Sequence, residues 1–139
     1  SRTDGVQAMV RHLKSRGLDT SVLKVDNGAG LSRDVRASAK FFVDLLRLAW
    51  QQATMPEFIS SLSIAGRDGT TRRRYARAKH AGRMHLKTGQ LDDVIAVTGY
   101  VHARSGKRFA IALLVNHPGA HRGPGQKIRD AFLKWTFSL

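Results

Sequence analysis

Apolar positions along the chain change period near its middle. Val6, Met9, Val10 and Leu13 recur at helical spacing within residues 5–16, with Thr3 or Asp4 as N-cap and Gly17 placed to end the helix. Residues 21–25 (SVLKV) predict a short strand, and the glycines and Asx pair of DNGAG at 26–30 predict a loop. From Ser38, the set Phe41, Phe42, Leu45, Leu46, Leu48 and Ala49 predicts a longer, core-facing helix capped by Ser38 that ends before Pro56. Pro56 then opens a short helix over 56–62. Beyond residue 83 the pattern turns strand-like over 83–89, 94–103 and 107–115. Arg104-Ser105-Gly106 makes the last two a hairpin, and the short Gln90–Asp93 link makes the first pair antiparallel as well. Ile128, Ala131, Phe132 and Trp135 return to helical spacing and close the chain. This order predicts an α+β fold, with helices packed on an antiparallel sheet.

Composition narrows the picture. A length of 139 residues fits one domain, a single unit over 1–139, and the absence of cysteine excludes disulfides and Cys-ligated metal. No apolar run approaches the roughly 18 residues of a membrane span. The start, SRTDGVQAMV, lacks the basic-then-apolar order of a signal peptide. Because the sequence opens on Ser1 without an initiator Met, a processed protein or a piece of a longer one is expected. The net charge of +14 asks for an anionic partner or milieu. Arg67, Arg72, Arg73, Arg74, Arg77, Lys79, Arg83 and Lys87 face one acid, Asp68, in a single segment; a solvated basic surface and an anion-binding patch both account for it. The spacings of His80 and His85, and of His117 and His121, match no zinc pattern, so neither metal nor cofactor is expected, and His85 reads as a satisfied structural histidine. GAHRGPGQK lacks the spacing of a phosphate loop.

Lys87-Thr88-Gly89 lies at the end of a predicted strand. There, a Thr hydroxyl and a Lys ammonium on the cleft side suit a carboxylate, while Gly admits a close ligand backbone. An ordinary strand end with a solvated lysine is the plainer alternative. The tripeptide is that of penicillin-binding proteins and class A β-lactamases. Asp26–Arg33 (DNGAGLSR), Ile64–Arg74 (IAGRDGTTRRR), Arg83–Gly89 (RMHLKTG), Ala96–Tyr100 (AVTGY) and Leu114–Pro118 (LVNHP) widen the likeness. In this order and spacing they resemble the C-terminal part of the penicillin-binding protein 4 type D-alanyl-D-alanine carboxypeptidases, peptidase family S13. Ala29 and Gln90 depart from that pattern, where Ser and Thr are usual. The resemblance implies the C-terminal part of a β-lactamase/transpeptidase-like fold, serine acyl transfer on peptidoglycan stem peptides, inhibition by β-lactams, a periplasmic location, and substrate binding by Lys87, Thr88 and Gly89.

The same family requires an S-x-x-K nucleophile pair and an S-x-N. No S-x-N occurs, and the one S-x-x-K, Ser21 to Lys24, falls in the predicted strand, where positions three apart point to opposite faces. The nucleophile is therefore expected upstream, and the chain alone is expected to be inactive. A basic nucleic-acid or anionic-polymer module is the alternative function. It explains only the charge, and aromatics, at 7%, are sparse and sit mostly in apolar runs, so nucleic acid is disfavoured. The resembled sheet has five strands, which implies that strand 107–115 is an edge in this chain. Phe109, Ile111, Leu113 and Val115 alternate there with Ala110, Ala112 and Leu114, so self-association through that edge is expected.

Overall fold

The computed structural model describes residues 1–139, the side chain of Arg2 excepted. Helix α1 (Arg2–Ser15) starts three residues before the 5–16 range that its periodicity suggests. Ser1, not Thr3 or Asp4, is the cap: its hydroxyl accepts from the Asp4 amide, and the Asp4 carboxylate accepts from the Ser1 amine at 2.8 Å. Asp4 thus fills the third position of a capping box. Helix α2 (Ala39–Trp50) begins as predicted, with the Ser38 hydroxyl accepting from the Phe41 amide at 3.0 Å. Helix α3 (Met55–Ser60) carries Pro56 in its first turn, where a missing N–H costs nothing.

The predicted strand over 21–25 does not form. Asp19 accepts from the Ser21 amide and starts a turn, and the only ladder contact in the region is an isolated bridge between Lys24 and Arg36. A strand needs a neighbour, and the loop that doubles back from residue 26 supplies a single pair. Conversely, β1 (Ser63–Ile64) is too short to leave a periodic signal. It joins the three expected strands β2 (Met84–Leu91), β3 (Val94–His102) and β4 (Arg108–Asn116) in an antiparallel sheet of order β1-β2-β3-β4.

Helices cover both faces of this sheet. In the register, Met84, Leu86, Val97, Val101 and Ile111 share one face with helix α5 (Pro124–Ser138), whose Leu133 is fully buried against them. Tyr100 lies on the other face, its ring tilted against Trp50 of α2 with centroids 5.1 Å apart, and its hydroxyl donates to the Leu46 carbonyl. The rotation of α5 departs from its apolar periodicity. Gly125, Arg129, Leu133 and Thr136 face inward, whereas Ile128 and Trp135 are 49% and 57% exposed. Gly125 decides this, because a Cβ there would stand 2.6 Å from the Ala120 carbonyl oxygen; only glycine lets the helix start so close. That rotation carries Arg129 inside, where Tyr75 and Asp130 satisfy it.

Candidate functional site

β1 accompanies β2 only at Ser63↔Leu86 and Ile64↔His85, so residues 87–91 of β2 have no strand neighbour on that edge. Lys87, Thr88 and Gly89 sit on this open stretch. Consecutive strand positions alternate, so the lysine and threonine side chains leave opposite faces of the sheet rather than sharing one side. Lys87 and Gly89 line a shallow pocket with Phe42, Ala96, Thr98 and Leu114. The long lysine stem offsets the alternation, because Nζ bends back and donates to the Thr88 carbonyl at 2.8 Å. Thr88 turns the other way, its hydroxyl 2.9 Å from that of Thr70. A Cβ on Gly89 would meet only Ala96, at an ordinary 3.5 Å, so packing inside the chain does not demand glycine there.

Two further groups surround the edge. On the Thr88 side, a cavity of about 100 Å³ is lined by Thr70, Arg74, Tyr75, Gln90 and Arg129. Its wall is a tied network: the Tyr75 hydroxyl donates to Asp130 at 2.6 Å, Arg129 donates to Tyr75 and Asp130, and Arg74 reaches Asp130 and Gln126. Burial, reinforced by the hydrogen bond to Asp130, pushes the Tyr75 hydroxyl up to about 12, so it stays a neutral donor. At the same end of the sheet, the loop after DNGAG borders a larger cavity of about 590 Å³ lined by Ser32, Arg33, Arg36, Phe42, Leu91 and Asn116. Asn27 and Ser32 side chains each accept from a backbone amide two residues on, which shapes that loop.

Several residues singled out in the sequence fall elsewhere. Ser21 is exposed in a turn and Lys24 is exposed at the isolated bridge to Arg36, both outside any helix. His80 is 7% exposed between the rings of Tyr75 and Phe137, and burial lowers its pKa. Its Nε2 and the Nδ1 of His85 are buried without a hydrogen-bond partner, so His85 is not the satisfied histidine expected. Of the basic segment, Arg72, Arg73, Arg77 and Lys79 are exposed, while Arg74 is held by Asp130. Sequence reasoning missed Thr70, Arg129 and the cavity at Ser32–Arg36. The GTT of residues 69–71 is the one local signal for Thr70, and Arg129 leaves none, since only its tertiary partners distinguish it.

A sheet of this topology, with helices on both faces, has counterparts in known proteins. The chain matches the profile of the D-Ala-D-Ala carboxypeptidase 3 (S13) family over residues 1–139. It belongs to that family. It is 35% identical over 120 residues to the carboxypeptidase DacB of Mycolicibacterium smegmatis, covering 82% of this chain and 26% of that protein. It is 31% identical over 133 residues to the D-alanyl-D-alanine carboxypeptidase of an Actinomadura species, covering 91% and 24%. Among solved structures, penicillin binding protein 4 (dacB) of Haemophilus influenzae, complexed with a β-lactam, superposes with a TM-score of 0.76 at 24% identity, over 84% of this chain and 27% of that one. That likeness carries the fold: helices on an antiparallel sheet, as in transpeptidase-like proteins. The chain spans about a quarter of the length of the curated relatives it matches.

Proposed function

We propose that this chain is the C-terminal, substrate-holding part of a serine-type D-Ala-D-Ala carboxypeptidase or endopeptidase that acts on peptidoglycan stem peptides in the periplasm and is acylated by β-lactams. The observation that carries this reading is the open edge of β2 at residues 87–91, where the Thr88 hydroxyl and the Lys87 ammonium come to the same stretch of backbone from two faces. An extended peptide can add to that edge as a strand, its main chain pairing with β2. Its terminal carboxylate then accepts from Thr88 and Lys87, and Gly89 leaves room for its backbone. The covalent step belongs to a serine outside these residues. Its oxygen bonds to the scissile carbonyl carbon, the amide C–N bond breaks, and the leaving amine takes the serine proton; water later releases the acyl group.

Thr88→Val in the full-length protein tests the reading. A hydrogen bond to a charged group contributes about 1.5 to 3 kcal/mol, so acylation by a carboxylate-bearing penicillin should slow roughly ten- to a hundredfold. An unchanged acylation rate removes β2 from the site. The same reading bears on assembly of the chain by itself. The outer edge of β4 has no strand neighbour among the described residues, and it lacks proline. The isolated chain should self-associate there, more strongly as salt screens the +14 charge. Sedimentation from 0.05 to 0.5 M salt, roughly a threefold change in Debye length, reads this directly, and a monomer throughout refutes it.

A further inference from the structure

Thr88 is not alone at the edge of β2, and the residue beside it is held with more care than its exposure suggests. We infer that Thr70 is a positioning residue that orients the Thr88 hydroxyl toward a ligand carboxylate. The two hydroxyl oxygens are 2.9 Å apart, and either can be the donor. A carboxylate offers only acceptors. If Thr88 spends its hydrogen on Thr70, it has none for the ligand. With a carboxylate present, the arrangement that satisfies every group has Thr70 donating to Thr88 and Thr88 donating to the carboxylate, each bond polarising the next.

The backbone holds Thr70 in place for this. Its turn, residues 69–71, follows β1, which pairs with β2 at His85 and Leu86, so the turn is tied to the strand that carries Thr88. The Asp68 carboxylate accepts from the Ile64 amide at 2.6 Å, closing the approach to the turn. Gly69 adopts φ +53°, a conformation that favours glycine, and a Cβ there would lie 3.0 Å from the Ser63 Cβ, so the turn sits close against β1. Thr71, 2% exposed, anchors the other side. Thr70 is left exposed with its hydroxyl aimed at Thr88, a placement that packing alone does not require.

This inference rests on the reading that Thr88 meets a carboxylate, and the experiment separates the two. In the full-length protein, Thr70→Val, Thr70→Ser, Thr88→Val and the Thr70→Val/Thr88→Val double variant are acylated with a penicillin and with its methyl ester. Thr70→Val should slow acylation by the free acid about three- to tenfold, with Thr70→Ser restoring it to within about twofold. It should leave the ester unaffected and add nothing once Thr88 is Val, the non-additivity expected of two groups acting through one bond. Equal slowing of acid and ester, or full additivity with Thr88→Val, assigns Thr70 a merely structural role and overturns the inference. An inert Thr70→Val beside a slow Thr88→Val also overturns it while leaving the carboxylate site standing. An inert Thr88→Val removes both. Unfolding midpoints of the Thr70→Val and Thr70→Ser variants, expected to match the parent because Thr70 is exposed, keep folding out of the comparison.

Discussion

Incubated with a fluorescent penicillin and run on a denaturing gel, the 139-residue chain should remain unlabelled, while the full-length protein that contains it gives a covalent band. The expected difference is all or nothing, because carboxylate binding without a nucleophile cannot become acyl transfer. Ser21 is the one serine with a lysine three residues on. Activation requires the lysine amine within hydrogen-bond reach of the serine oxygen, an arrangement that i and i+3 achieve on a helix. Ser21 instead stands in a turn started by Asp19, and Lys24 is engaged through its backbone with Arg36. A labelled band from the isolated chain would sink this account, and Ser21→Ala would then show whether that residue is the nucleophile.

Gly99→Ala should be the most destabilising single change in the sheet. Gly99 lies in β3 opposite Leu86 with φ +150°, and a Cβ built there stands 2.0 Å from the His85 carbonyl oxygen and 3.0 Å from the Leu86 Cα. Both obstacles are backbone in a paired strand, so no side chain can rotate away, and the ladder itself must open. Steric strain and the disfavoured dihedral together should remove about 3 kcal/mol or more, a fall in Tm on the order of 10 °C. Gly106→Ala is the control, since Gly106 also has positive φ (+82°) but no atom near its missing Cβ. It should cost about 1 to 2 kcal/mol. Thermal unfolding by circular dichroism that found the two variants equal would show that the approach to His85 is not what demands glycine at 99. Under the proposed carboxylate site, Gly99→Ala should also slow acylation, because His85 and Leu86 directly precede Lys87 and a shift of β2 against β3 moves Thr88.

Period and punctuation along the chain determined most of the secondary structure. Ser38 and the apolar run behind it are sufficient for α2, Pro56 for the start of α3, and Arg104–Gly106 for the hairpin, because caps, prolines and tight turns act over a few residues and need no distant partner. The KTG tripeptide and its four companion segments were likewise legible, and they pointed to the family that the whole-chain match bears out. What the tertiary structure alone decided involves partners far apart in sequence. The strand expected at 21–25 is absent because only Arg36 pairs with it. The face that α5 buries follows from the contact of Gly125 with Ala120 and from the Tyr75–Asp130 pair that satisfies Arg129, not from where its large apolar residues lie. The separation of Lys87 and Thr88 onto two faces, their reunion at one stretch of backbone, and the meeting of Thr70 with Thr88 across 18 residues are also products of packing. A hydroxyl, an ammonium or a guanidinium carries no mark of its neighbours in the sequence, because a hydrogen bond takes its direction from whatever the fold brings within about 3 Å.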